Sequence, residues 1–250
     1  MAAPDMSPKA GKPLVQNDAG SYLAWSGKDQ PTLAGEKLGC GLLVLKPLGF
    51  ALPHYADSGK FGYVLGGSAV VGVLPVGVDA RERVVRLEAA DVIAMRAGEV
   101  TWWYNDADGG GGEDVTHPVR GRHRQRPSGS RFLTRGAAVR GPWVLRDAAA
   151  QAVYVARGSG RVQVASAGGA STLLDAEVAA GSLLVVPRYA VALVAADDAG
   201  GMELVSLIKS SRPAMEHFTG KGSVIGGLTP EIVQAALNVS PELVEQLRTK

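Results

Sequence analysis

The stretch Gly49–Val73, GFALPHYADSGKFGYVLGGSAVVGV, decides the fold. It contains two short β-rich runs, Phe61–Leu65 and Ala69–Leu74, separated by the pair Gly66-Gly67. Paired glycines between runs of apolar and β-branched residues are typical of a tight hairpin. The stretch therefore predicts two half-buried strands joined by a short turn.

The same pattern recurs 91 residues later. Tyr63–Ser68 (YVLGGS) matches Tyr154–Ser159 (YVARGS), and Ala90–Ile93 (ADVI) matches Gly181–Leu184 (GSLL). Two separate patches that keep one offset indicate an internal duplication, since independent matches would not share their spacing. We therefore expect two similar β units in the chain.

The composition is that of an ordinary globular protein and excludes several classes of function. Hydrophobic residues make up 46% and charged residues 20% of the 250 residues. A single cysteine, Cys40, excludes an internal disulfide framework and a cysteine-built zinc site. Met1–Lys12 lacks the apolar core of a secretory signal, and no apolar run approaches the roughly 20 residues that span a bilayer. We expect a cytoplasmic protein without a membrane partner.

Basic residues concentrate between Thr116 and Arg146. This segment holds eight arginines and no acidic residue, and it is rich in glycine, proline and serine. Such a composition offers little apolar surface to bury, so it predicts a disordered linker over residues 116–147. Arg120–Arg126 (RGRHRQR) could contact nucleic acid, but the aromatic residues that stack on bases are missing. A solvated linker is the favoured interpretation.

The linker divides the predicted chain into residues 1–115, which begin with a loose arm over 1–19, and residues 148–250. Near the C terminus the pattern changes to helix. Thr229-Pro230-Glu231 and Ser240-Pro241-Glu242 each place a capping residue, a proline and an acid in the order of a helix start. Two short amphipathic helices are therefore predicted. Their apolar faces are formed by Ile232, Ala235, Ala236 and Val239, and by Leu243, Val244 and Leu247.

The first unit resembles the cupins, small barrels of antiparallel strands, whose first motif is G-x5-H-x-H-x3,4-E-x6-G. Gly67 fits the closing glycine of that motif. Counting back from it places His54 at the first histidine, Ala56 at the second and Lys60 at the glutamate. The resemblance therefore covers the spacing of the motif but only one of its three metal-binding side chains.

The second cupin motif, G-x5-P-x-G-x2-H-x3-N, is also matched at only some of its positions. Gly98 and Asn105 fit the later glycine and the asparagine, whereas Thr101 stands at the histidine position. In the later repeat Gly181 and Pro187 fit the start of the motif. The histidine position of that repeat is Ala192.

A metal ion is not expected, because the metal of this family needs three imidazoles and a carboxylate converging inside the barrel. This chain offers one imidazole, His54, and places the ammonium of Lys60 where a cation would bind. We therefore predict no metal, no cofactor and no catalytic residue. His54, Lys60 and Thr101 are candidates for a small-molecule site, together with Trp103, which shares a strand face with Thr101. Core packing of Trp103 and a lone, backbone-bonded His54 are the alternatives.

A closer resemblance is to the legumin-type seed storage globulins and their glutelin-like relatives. It rests on four stretches, at residues 52–67, 151–164, 180–191 and 228–247. It implies a mainly β bicupin, with jelly-roll (double-stranded β-helix) barrels and a short C-terminal helical pair. It also implies trimers formed through those helices, and a nutrient-reservoir role. The segment at 132–145 should repeat Gly41–His54 but matches it poorly, which predicts an incomplete second barrel.

Two rival functions stay open beside a non-enzymatic reservoir. One is a metal-free epimerase or isomerase acting on a small sugar, with His54 paired to Tyr63 or Tyr104 as acid and base. The other is a binding module in which Lys60, Thr101 and Trp103 line a cavity for a small molecule.

Overall fold

The computed structural model describes residues 5–77, 80–107, 129–133, 139–145, 149–166, 171–197, 201–210, 215–217, 219–220 and 222–249. The chain divides into two compact units. The first unit consists of Gly11–Ala24 and Cys40–Pro127. The second consists of Met1–Ala10, Trp25–Gly39 and Ser128–Lys250. Both units are built mainly of strands, so the expected mainly β cupin barrel with a few C-terminal helices is confirmed.

The strands of the first unit follow the chain in nine short segments among the described residues. They are β2 (Lys12–Asn17), β3 (Gly20–Trp25), β4 (Cys40–Leu45), β5 (Phe50–Tyr55), β6 (Lys60–Tyr63), β7 (Ser68–Leu74), β8 (Arg83–Glu88), β9 (Val92–Met95) and β10 (Val100–Tyr104). These described strands form three sheets, in the orders β2-β3-β4, β5-β10-β7-β8 and β6-β9.

The core of the first unit follows from the alternation of side chains along its strands. On β7, Ala69, Val71 and Val73 are buried, as expected for every second residue of a strand with one face inward. They form a cluster with Val64 and Leu87, against which Ile93 and Trp103 pack.

The second unit combines the early strand β1 (Lys9–Ala10) and helix α1 (Pro31–Gly35) with the later part of the chain. Its other strands are β11 (Gly129–Leu133), β12 (Val139–Leu145), β13 (Gln151–Arg157), β14 (Ser159–Ser166), β15 (Thr172–Ala179), β16 (Ser182–Val186), β17 (Ala190–Ala196), β18 (Glu203–Ile208) and β19 (Met215–His217). Within the described residues these form two five-stranded sheets, ordered β1-β16-β13-β18-β11 and β15-β14-β17-β12-β19.

The inner faces of these two sheets carry an aliphatic core. On β14 the valines Val162 and Val164 are buried, whereas Arg161 and Gln163 point outward and bind Asp175 on β15. The core cluster also includes residues of the N-terminal segment and of five other strands. Its buried members are Met6, Val153, Val155, Val162, Val164, Leu174, Val178, Leu184, Val186, Ala190, Ala192, Val194, Met202 and Leu204.

The predicted tight hairpin at Gly66-Gly67 is wrong. Strand β6 pairs with β9, whereas β7 pairs with β8 and β10. The equivalent strands of the second unit, β13 and β14, are likewise in different sheets. The glycine turn therefore carries the chain from one sheet to the other. Local sequence cannot distinguish this crossing from a hairpin, since both need a sharp turn between apolar runs.

Residues 5–19 do not form the loose arm predicted over 1–19, and residues 1–4 of that segment lie outside the described residues. Strand β1 extends the edge of β16, with Lys9 opposite Leu183 and Ala10 opposite Ser182. Met6 is 3% exposed and lies in the core of the second unit. A sheet edge gains backbone hydrogen bonds from an added strand, which explains why this segment is ordered.

The linker was predicted over residues 116–147, of which 116–128, 134–138 and 146–147 lie outside the described residues; the described remainder forms two strands. Strand β11 pairs with β18, and β12 pairs with both β17 and β19. The second unit thus holds strands where an incomplete barrel was expected. The pairing of β12 with β17 repeats the pairing of β5 with β10 in the first unit. The composition of the segment did not predict these strands, because their pairing partners lie far away in the sequence.

Helices α2 (Val224–Gly227), α3 (Pro230–Leu237) and α4 (Pro241–Thr249) follow the strands of the second unit. Both predicted helix starts are confirmed, with Pro230 and Pro241 as the first helical residues. Helix α3 is followed by the capping residue Asn238, which has a left-handed backbone and donates its N–H to the carbonyl of Gln234. No helix in the described ranges has the length and hydrophobicity that a membrane crossing needs.

The internal duplication is visible in the backbone conformation as well as in the amino-acid sequence. Left-handed residues recur at the offset of 91, and only glycine adopts this conformation without strain. The equivalent pairs, with their φ angles, are Gly67 (75°) and Gly158 (80°), Ala90 (78°) and Gly181 (90°), and Gly98 (83°) and Tyr189 (58°).

We predict that exchanging the residues of one such pair changes stability in opposite directions. Ala90→Gly should raise the free energy of unfolding by about 1 kcal/mol, because it relieves a left-handed alanine. Gly181→Ala should lower it by about 1 kcal/mol. No atom lies within 4 Å of a Cβ added at Gly181, so the cost there is purely conformational. Urea unfolding monitored by circular dichroism measures both changes, and shifts of the same sign would contradict the explanation.

Candidate functional site

Three of the four candidate residues meet inside the first unit. Strand β5 carries His54, and β10 places Thr101 directly opposite it in the antiparallel register. Lys60 begins β6. Its Nζ donates a hydrogen bond to Thr101 Oγ1 at 3.3 Å, and Thr101 Oγ1 lies 3.5 Å from Nε2 of His54. Sequence positions that are 41 and 47 residues from Thr101 thus become neighbours through strand pairing.

The hydrogen bonds of this cluster define which tautomer a neutral His54 ring adopts. Its Nδ1 lies 2.9 Å from the carbonyl oxygen of Leu52. A carbonyl only accepts, so Nδ1 carries the proton and Nε2 of the neutral ring is an acceptor. Thr101 can then accept from Lys60 and donate to His54. The chain of donors runs from Lys60 through Thr101 and His54 to Leu52.

Burial and charge vary along this chain of donors. Thr101 is fully buried, Lys60 is half-buried and His54 is exposed. In the strand register Thr101 is opposite Val73, and Lys60 is opposite Met95, both of them buried. Desolvation by this surrounding lowers the pKa of Lys60 below its usual value. None of the ion pairs between described residues includes Lys60.

Trp103 belongs to the core rather than to this cluster of polar groups. It packs against the hydrophobic cluster of the first unit. Its ring also covers Gly62, where an added Cβ would approach the ring to 2.8 Å. The structure therefore supports the core-packing interpretation of Trp103, and it leaves His54, Lys60 and Thr101 as the polar group.

The other two aromatic residues of β10, Trp102 and Tyr104, lie on the outer face, because side chains alternate along a strand. Trp102 covers Gly72, and its indole N–H donates to Glu82 at 2.6 Å. The ring of Phe50 lies 5.6 Å from that of Trp102 and 6.2 Å from that of Tyr104, between centroids. Sequence reasoning missed Phe50 and Glu82, because their proximity depends on the register of β5 and β8 against β10 and β7.

The second unit has a different polar pair at the equivalent place. Gln151 is 91 residues after Lys60, at the start of β13. Its side-chain amide donates to Ser206 Oγ at 2.6 Å, and both residues are buried. The position equivalent to Thr101 is Ala192, which is part of the aliphatic core. The first unit therefore has an ammonium where the second has a neutral amide.

The donor set does not fit a divalent metal ion. Around the cupin metal position this chain has an imidazole, a methyl group, an ammonium and a hydroxyl, supplied by His54, Ala56, Lys60 and Thr101. In the parts of the chain that the structure describes, no three His, Cys, Asp or Glu side chains come close enough to hold a metal. Cys40 is half-buried, and burial raises the pKa of its thiol to about 11, so it is protonated at neutral pH.

The chain is similar to a family of known proteins over most of its length and to individual relatives over shorter stretches. The family model described as "Cupin" matches residues 7–111 and 126–245. The chain is 35% identical over 113 residues to 13S globulin seed storage protein 2 of Fagopyrum esculentum, covering 44% of this chain and 21% of that protein. It is 30% identical over 96 residues to glutelin type-A 3 of Oryza sativa subsp. japonica, covering 38% and 19% respectively.

A solved structure of similar fold is procruciferin, the 11S globulin of Brassica napus. The TM-score is 0.80 at 15% sequence identity, with 99% of this chain and 95% of that chain covered. At this identity the comparison shows a shared fold. The chain spans about a fifth of the length of the curated relatives named above.

The donor set predicts that the purified, untagged protein holds no stoichiometric manganese, iron or zinc. The expected metal content by inductively coupled plasma mass spectrometry is far below one ion per chain, both before and after dialysis against a chelator. The midpoint of thermal unfolding should not change on chelation, because no bound ion contributes to stability. One tightly held ion per chain would overturn this description of the site.

Proposed function

The chain belongs to the cupin family, and from this premise we propose that it is a non-enzymatic nutrient-reservoir protein of the seed storage globulin kind. The resemblance to legumin-type storage globulins and glutelins is confirmed by the relatives described above. The matches with these relatives cover 38% and 44% of this chain. The observation that carries the proposal is the sequence similarity to proteins named for seed storage.

The interior of the first unit supports a role without turnover. Cupin barrels host many chemistries, so the fold alone does not decide the matter. An epimerase would need an acid and a base on the two sides of its substrate. Tyr104, one partner considered for His54, lies on the outer face of β10, whereas His54 contacts Thr101 on the inner face. The pairing of His54 with Tyr104 is therefore disfavoured.

The reservoir role predicts a characteristic course of abundance in the tissue. The protein should accumulate during seed filling to a large share of total protein and should disappear during germination, because a reservoir is made to be hydrolysed. Quantitative mass spectrometry with isotope-labelled peptides measures this course, with a metabolic enzyme of the same tissue as the reference. A low and constant abundance through both stages would contradict the proposal.

We also propose that the chain forms homotrimers through its C-terminal helices. Only Val233 and Val244 of α3 and α4 are buried among the described residues. Ile232 is 56% exposed, Leu237 49% and Leu243 41%. Exposed apolar side chains on short helices are typical of a surface that another molecule covers. The storage-globulin resemblance indicates that this molecule is a second copy of the chain.

Placing a charge in this surface should dissociate the assembly. Ile232→Asp is expected to shift the molar mass from that of a trimer toward that of a monomer, because an ionised carboxylate resists burial in an interface. Gln234→Asp is the matched control, since it adds the same charge at an exposed polar position of α3. Size-exclusion chromatography with light scattering measures the mass. A monomeric wild-type protein, or equal masses for both variants, would refute the proposal.

A further inference from the structure

The two units differ at one edge of a sheet. In the second unit, strand β16 has a neighbour on each side, β13 and β1. Its equivalent at the offset of 91 is β9, which pairs with β6 on one side. No strand in the described part of the chain lies along the other edge of β9. An unpaired edge presents backbone N–H and C=O groups to which a further extended segment can bind.

The side chains near this edge differ between the units in the same way. In the second unit, Leu174 and Ala190 belong to the hydrophobic cluster that also contains Met6, from the segment that leads into β1. The equivalent positions of the first unit are occupied by Arg83 and Glu99. The second unit is therefore closed here by an apolar N-terminal segment, whereas the first unit has charged residues at the same place.

A cavity of about 410 Å³ lies beside β9 in the first unit. Its lining consists of Pro75, Arg83, Ala94, Arg96 and Glu99. Ala94, a residue of β9, is exposed, whereas its equivalent in the second unit, Val185, is fully buried. The strand that is covered in the second unit is therefore accessible in the first.

The cavity has an excess of positive charge. Arg83 and Arg96 are exposed, and neither takes part in an ion pair between described residues. Glu99 is 6% exposed, and its Oε2 accepts a hydrogen bond from the backbone N–H of Arg96 at 2.8 Å. The one carboxylate is thus held by the turn after β9, and two guanidinium groups line the same cavity. A guanidinium pairs with a carboxylate through two parallel hydrogen bonds, so the cavity complements an acidic side chain.

We propose that the free edge of β9 binds an extended acidic segment of a partner protein, which adds a strand beside β9 and places a carboxylate between Arg83 and Arg96. The second unit shows that this fold accepts an added strand at the equivalent edge. The two arginines select an acidic segment instead of an apolar one. The proposal goes beyond the reservoir role and the trimer and does not depend on either. Those are tested by abundance and by substitutions on α3, whereas this surface is tested by peptide binding.

The probes are two fluorescein-labelled peptides with blocked termini, TVEVEV and TVQVQV, which differ in charge but not in strand propensity or length. Fluorescence anisotropy at constant ionic strength should show at least about tenfold tighter binding of the acidic peptide, because charge-assisted hydrogen bonds are lost with glutamine. Arg83→Gln and Arg96→Gln should each weaken its binding by a similar factor. Lys46→Gln, at an exposed lysine of the same unit, is the control for loss of one surface charge and should bind as the wild type does. Circular dichroism melts show whether each variant folds.

Hydrogen exchange measures the added strand independently of charge. The acidic peptide should slow exchange of the backbone amides of β9, and the peptide TVEPEV should bind more weakly, because proline lacks an N–H for the new ladder. No binding of TVEVEV at millimolar concentration, equal binding of TVQVQV, or unchanged binding by both arginine variants would overturn the proposal. Binding without slower exchange in β9 would do the same. Tighter binding of the peptide DMSPKA, residues 5–10 of this chain, would also overturn it, since the occupant would then be a second copy.

Discussion

The pairing of β10 with both β5 and β7 is the constraint on which the first unit depends. Because side chains alternate along a strand, this pairing directs Thr101 and Trp103 inward and leaves Trp102 and Tyr104 outside. At the end of β10, the buried Asn105 donates to the Leu45 carbonyl at 3.0 Å and accepts from the N–H of Ala107. The strand is thereby held in one register, since a shift by one residue would exchange its two faces.

The two repeats have the same backbone arrangement but different side chains in their interiors. The left-handed turns recur at the offset of 91, and the strands that follow them enter equivalent pairs. The contents differ. The second unit buries an aliphatic core and a neutral pair, Gln151 and Ser206, whereas the first places Lys60 beside Thr101. Sheet geometry depends on backbone hydrogen bonds and turns, so the inward-facing residues are free to change from one repeat to the other.

The second unit is completed by residues from the start of the chain. Trp25 donates its indole N–H to the carbonyl of Lys9 at 2.9 Å, and its ring meets that of Tyr154 edge-on at 5.9 Å. Arg188 forms an ion pair with Glu36 at 3.1 Å, and the ammonium of Lys209 donates to the backbone carbonyl of Glu36. Arg188 is largely exposed, so this ion pair contributes little by itself. The burial of Met6 and the added strand β1 therefore explain most of the stability of the contact between the N-terminal segment and the rest of the second unit.

The amino-acid sequence by itself determined the β content, the duplication at an offset of 91, the two helix starts at Pro230 and Pro241, and the missing metal ligands around His54. Periodicity, turn residues and motif spacing concern neighbours in the chain, and the duplication is found by comparing two stretches of the sequence with each other, so none of these features needs the tertiary structure. Only the tertiary structure decided that β6 and β7 lie in separate sheets, that Met6 joins the second unit, and that Lys60 reaches Thr101. The physical reason is that a strand's partner is selected by backbone hydrogen bonding and core packing between residues far apart in the sequence. No local pattern records that selection.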